Sequence, residues 1–106
     1  MKAIIDGLRY NTEAPKTVKV GEERASCSVT DFQYWEAALY RTGGRRYFLA
    51  GEGGPMSRFA RPVDGNSMTG GSKIIPMTKE EALEWAERYL DAETVENEFP
   101  DMVEEA

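Results

Sequence analysis

The sequence predicts an α+β domain: a small, mostly antiparallel sheet of two hairpins plus one strand, packed against a C-terminal amphipathic helix. Three observations carry this. Asp6-Gly7 and Gly43-Gly44 are tight-turn signals, each set between β-prone runs. Thr78-Lys79-Glu80-Glu81 is a capping box, in which the Thr hydroxyl and the Glu carboxylate satisfy free amides at a helix start. Beyond it, Ala82, Trp85, Ala86, Tyr89 and Leu90 fall on one apolar stripe at helical spacing. A length of 106 residues suits one domain, read as residues 1–100 with a frayed acidic tail at 101–106.

The elements follow in order. Pairing Ile5 with Leu8 across Asp6-Gly7 puts Ala3, Ile5, Leu8 and Tyr10 on one face, the better core face, and Lys2, Ile4, Arg9 and Asn11 on the other. Thr17–Val20 reads as a short strand ended by Gly21-Glu22-Glu23, with Arg24–Ser28 as loop. Tyr34–Thr42 and Arg45–Gly51 form the second hairpin. Pairing Thr42 with Arg45 gathers Trp35, Ala37, Leu39, Phe48 and Ala50 on one side, against Tyr34, Tyr40, Tyr47 and Leu49. A helix through Asp31–Leu39 competes, because Phe32, Trp35 and Leu39 have helical spacing. Residues 51–72 read as a long Gly-rich connection and Lys73–Met77 as a strand. After the capped helix, Asp91 caps a second short one, Ala92–Phe99, anchored by Val95 and Phe99 and ended by Pro100. Trp35 and Trp85 read as core anchors where helix meets sheet.

The charge changes sign along the chain. From Thr78 onward eleven acids face two bases, a net −9, whereas residues 1–77 hold eight acids and eleven bases, a net +3. Such a split favours a macromolecular partner with a charged surface over a small substrate. The chain has no His. That excludes Ser-His and Cys-His nucleophile pairs and His-ligated metals, and the single Cys27 cannot build a disulfide or a structural zinc site. No metal or cofactor is expected. No run approaches the roughly 20 apolar residues of a membrane span, and the N-terminus turns polar too soon for a signal peptide. The expected setting is therefore cytoplasmic, with no membrane partner.

Several phrases occur together: Met1-Lys2-Ala3-Ile4-Ile5-Asp6-Gly7 with Arg9-Tyr10-Asn11-Thr12; Leu39-Tyr40-Arg41-Thr42 with Tyr47-Phe48-Leu49 and Gly51-Glu52-Gly53-Gly54-Pro55-Met56; and Asn66-Ser67, Gly70 and Lys73-Ile74-Ile75-Pro76 running into Glu80-Glu81-Ala82 and Glu84-Trp85. In these the chain resembles small accessory proteins of Gram-positive bacteria, their phages and conjugative elements. Residues 13–30 carry none of the phrases. The resemblance implies a mobile-element setting in which anti-defence proteins such as anti-CRISPR inhibitors are frequent. It brings no catalytic motif.

The leading functional expectation is a non-catalytic protein that inhibits or modulates a basic nucleic-acid-handling protein, such as a CRISPR nuclease. Glu80, Glu84, Glu87 and Asp91 on the acidic helix would replace phosphates opposite Lys and Arg. Glu52, Met56 and Asn66 of the Gly-rich loop would add shape-specific contacts. Against this stands the plain reading of a solvated helix face. An alternative is nucleic-acid binding by Arg41, Arg45, Arg46, Arg58 and Arg61 with interleaved aromatics, although the same residues would also make a charged sheet edge that resists aggregation. A second alternative is a carboxylate-dependent enzyme using Glu36, Glu52 and Asp64. Gly51-Glu52-Gly53-Gly54-Pro55 lacks the Gly-Lys-Ser/Thr ending of a phosphate loop.

Overall fold

A computed structural model describes residues 1–65 and 67–106. Strands β1 (Lys2–Ile5) and β2 (Leu8–Asn11) form the first hairpin with the expected Ile5–Leu8 pairing. Asp6 and Gly7 both take positive φ, the conformation such a two-residue turn needs. β3 (Val18–Arg24), β4 (Trp35–Arg41), β5 (Tyr47–Gly53) and β8 (Gly71–Met77) make the central antiparallel sheet in the order β3-β4-β5-β8. Between β5 and β8 lies a small hairpin, β6 (Arg61–Asp64) and β7 (Ser67–Thr69). Helices α1 (Lys79–Tyr89) and α2 (Ala92–Glu98) close the chain. The α+β class is as the sequence predicts.

Both faces of the central sheet are covered. On one, Ala37, Leu39, Tyr47, Leu49 and Phe59 pack against Ala82, Trp85 and Ala86 of α1 and against Val95 and Phe99. On the other, Phe48, Ala50 and Ile74 pack against Tyr10, with Ala3, Ile5 and Leu8 alongside. The first hairpin is therefore a lid on the sheet, not part of it. Its expected core face is the one that packs, and Ile4 on the opposite face is exposed.

The register of β4 with β5 corrects the sequence expectation. Arg41 pairs with Tyr47 and Leu39 with Leu49, one step from the Thr42–Arg45 pairing. Gly43, Gly44 and Arg45 form a three-residue loop, in which Arg45 takes the positive φ of 65° and Thr42 and Arg46 close the end by a 2.8 Å backbone bond. A one-residue slip exchanges faces. Tyr47 and Leu49 thus join Ala37 and Leu39 under the helices, while Phe48 and Ala50 face the first hairpin. The double glycine suggested the shorter loop, and two apolar faces left the periodicity with nothing to arbitrate.

Three other boundaries move. β3 runs through Gly21 to Arg24 because a bulge between Lys19 and Gly21 lets the strand continue, and because Gly21 is where Leu90 packs. A Cβ there would lie 2.7 Å from the Leu90 methyls. β5 continues to Gly53, since the Phe59 ring occupies the place of a side chain at Gly51, 2.8 Å from where its Cβ would be. The connection 51–72 contains β6 and β7, whose almost wholly exposed residues give no alternating burial to read. The α1 capping box, the Asp91 cap and the Val95 and Phe99 anchors are as expected. The tail is tied down at its start: Lys79 pairs with Asp101 at 3.0 Å, and Met102 packs on the core.

A polar lock fixes α2 to the sheet. Arg41 Nη1 donates to both Glu98 oxygens, at 2.6 and 2.5 Å, and the Tyr47 hydroxyl donates to Glu98 Oε2 at 2.6 Å. The side chains are 27% and 11% exposed for Arg41 and Glu98, so this pair is screened less than a surface one. Burial, and then the bond to Glu98, push the Tyr47 phenol up to about 12. Truncating Arg41 would leave the Glu98 carboxylate poorly paired. Arg41→Ala is expected to lower the unfolding free energy by about 2 kcal/mol in urea titration. Gly51→Val, which must displace Phe59, is expected to cost about 2 kcal/mol by the same measurement.

Candidate functional site

Two surfaces carry the sequence-predicted residues, on opposite faces of the sheet. The first is the outer side of α1. At 100° per residue, Glu80, Glu84 and Glu87 align along one line, about 180° from the stripe of Ala82, Trp85, Ala86 and Tyr89. That stripe is packed on the sheet, so Glu80 and Glu87 lie on the outer side, while Glu84 also borders a groove with Arg58, Trp85 and Arg88. Glu80, Glu84 and Glu87 are exposed and in no ion pair among the described residues. Glu80 and Glu87 are separated by about 10 Å along the axis. Asp91 is not on this line: the chain is extended at Leu90 and Asp91, and Asp91 caps α2. Its carboxylate accepts from the Thr94 amide at 2.8 Å, and its contacts with Thr94 hold it below the usual carboxylate range. Glu81 lies beside the line, held charged by its bond from the Thr78 amide. Of the acids from residue 78 onward, Glu98 and Asp101 are taken by Arg41 and Lys79.

The second surface lies on the hairpin side of the sheet. Glu36 and Glu52 are direct register partners on β4 and β5, a consequence of the corrected register. The Tyr34 hydroxyl donates to Glu36 Oε2 at 2.6 Å. Arg24 is the register partner of Glu36 on β3. The Tyr34 bond, then the bond from Glu52, hold Glu36 low, while Glu36 pushes Glu52 above the usual range. Tyr34 itself is pushed up by its bond to Glu36. Beside the pair runs an open trough of about 690 Å³, bounded by Met1 and Thr12 of the hairpin and by Lys19, Glu22 and Tyr40. A carboxylic acid next to a carboxylate can donate and accept a proton. The third carboxylate of the proposed set, Asp64, lies on β6 and does not line the trough.

The remaining candidates are dispersed. Arg41 is engaged by Glu98, while Arg45 and Arg46 are exposed at the β4–β5 tip. Arg58 lines a groove with Glu81, Glu84 and Trp85. Arg61 lies against Gly71, at the opposite end of β5 and β8 from the tip and about 20 Å away along the strands. The arginines do not form one patch. Glu52 faces the trough and Met56 sits at the far end of the sheet, so neither shares the surface of the α1 ridge. Asn66 lies outside the described residues. Sequence reasoning missed Tyr34 as the partner of Glu36, although a Tyr two residues before a Glu on one strand shares its face.

Among the described residues no cluster of His, Cys, Asp and Glu could hold a metal ion, and no helix is long and apolar enough to cross a membrane. The fold and these surfaces define a small α+β domain with an acidic ridge. No family model matches the chain, and no curated protein or solved structure matches it.

The carboxyl pair sets a pH dependence. A lowered Glu36 adds stability that is present above its ordinary value of 4.5 and lost as pH falls through its folded value. A raised Glu52 has the opposite sign: stability declines as pH rises from 4.5 through its folded value, where the folded state holds the extra proton. The pair therefore contributes most near pH 4.5, with one proton bound. Glu52→Gln is expected to raise stability at pH 7 relative to the parent by about 0.5 kcal/mol, the size of an exposed cross-strand repulsion. The gain should vanish near pH 4.5 in thermal melts across pH.

Proposed function

We propose that this protein acts by stoichiometric binding: a non-catalytic accessory protein that inhibits or modulates a basic nucleic-acid-handling protein, such as a CRISPR nuclease. The observation that supports the reading is the α1 ridge, where Glu80, Glu84 and Glu87 are exposed and in no ion pair among the described residues. A line of carboxylates on a rigid helix presents charge at fixed spacing, as a phosphate backbone does. Lys and Arg side chains that hold nucleic acid would meet the ridge at little ordering cost to it. The ridge is preferred over the arginines because those are split between two ends of the sheet and one is bound internally. It is preferred over the carboxyl pair because that pair lacks its third member.

The test is titration of a purified CRISPR nuclease, with and without its guide RNA, by the parent and by E80K/E84K/E87K. The parent is expected to bind the guide-free nuclease more tightly and to weaken steeply from about 50 to 300 mM salt. The charge-reversed variant should lose at least about tenfold in affinity. Equal binding by the two proteins would overturn the reading.

A further inference from the structure

The exposed apolar side chains are unevenly placed. Val29, Phe32 and Met56 are 67%, 65% and 64% exposed, and all three sit at the Trp35–Gly53–Gly71 end of the sheet. The register of β4 with β5 continues into their loops: Gly54 N donates to Tyr34 O at 2.7 Å and Met56 N to Phe32 O at 2.8 Å, which sets Phe32 and Met56 opposite each other. Val29 lines an open groove at this end together with Tyr34, Gly53, Gly54 and Gly71. Val63 and Met68 of the β6–β7 hairpin are also exposed, and that hairpin joins β8 at this same end through Gly70, packed on Gly53.

We propose that this end is the contact between two copies of the chain. Two properties of this end favour a second copy. The first is area. The five side chains expose roughly 500 Å² per copy, at the upper end of the largest patch on an ordinary monomer. Two copies meeting there would bury about 1,000 Å², the lower bound of a specific interface. The second is charge. The chain carries −6 and its acidic ridge repels a second copy. The apolar end instead carries both signs, with Arg61 near Gly71, the Asp31 backbone near Gly54 and Asp64 on β6, so an isologous contact can set the arginine of each copy opposite an aspartate of the other. A strongly charged partner gains nothing from such a rim. The β6–β7 hairpin, which has no core of its own, would gain one from the second copy.

Sedimentation equilibrium of the full chain tests this from about 10 μM to 1 mM, the range of weak contacts of this size. The parent is expected to move from 11.9 kDa toward twice that mass, with association kept or strengthened at high salt. F32S/M56S, which alters only exposed positions, should weaken dimerisation at least tenfold with an unchanged circular dichroism spectrum. Ile4→Ser, an exposed apolar position on the first hairpin, should leave dimerisation as it is. A monomer at every concentration would overturn the proposal, and so would a dimer that F32S/M56S leaves intact or that Ile4→Ser dissolves.

Discussion

The pairing of β4 with β5 is the constraint on which the rest depends. Seven consecutive residue pairs, from Trp35–Gly53 to Arg41–Tyr47, decide which side chains meet the helices and which meet the first hairpin. The three-residue loop with Arg45 at positive φ holds that register from one end. From the other, Gly51 admits the Phe59 ring. Slipping the pairing by one residue would carry Phe48 under α1 and Leu49 under Tyr10, and would part Glu36 from Glu52. Core, lid and carboxyl pair are thus consequences of one backbone alignment.

The two covers of this sheet are held by different physics. The helices add a polar lock to apolar packing: Arg41 and Tyr47, adjacent across the hairpin, converge on Glu98 from α2. The first hairpin is held by apolar contact through Tyr10, whose ring meets Phe48 edge-on at 5.4 Å, with Ala3, Ile5 and Leu8 alongside. Because α1 turns its apolar stripe inward, Glu80, Glu84 and Glu87 are left exposed and in no ion pair among the described residues. The functional proposal and the stability of the fold therefore come from one amphipathic pattern.

What could be read from sequence was local. The Asp6-Gly7 turn, the Thr78 capping box, the Asp91 cap and the α1 stripe each depend on residues within a few positions of one another, and the chain stiffens into them with little help from elsewhere. The ridge follows from the same spacing, so the alignment of Glu80, Glu84 and Glu87 is legible in the amino-acid order alone. β6 and β7 were not legible, since strands without a buried face carry no alternation.

The sequence by itself determined the α+β class, the helix limits, the first hairpin with its face, and the negative character of the C-terminal third. Each of these rests on short-range periodicity or on turn chemistry. Tertiary structure decided the β4–β5 register, the position of the first hairpin as a lid, the capture of Arg41 by Glu98 across 57 residues, and the gathering of Val29, Phe32 and Met56 at one end. Each of these needs side chains distant in sequence to compete for the same space or the same charge, and residue spacing does not encode that competition.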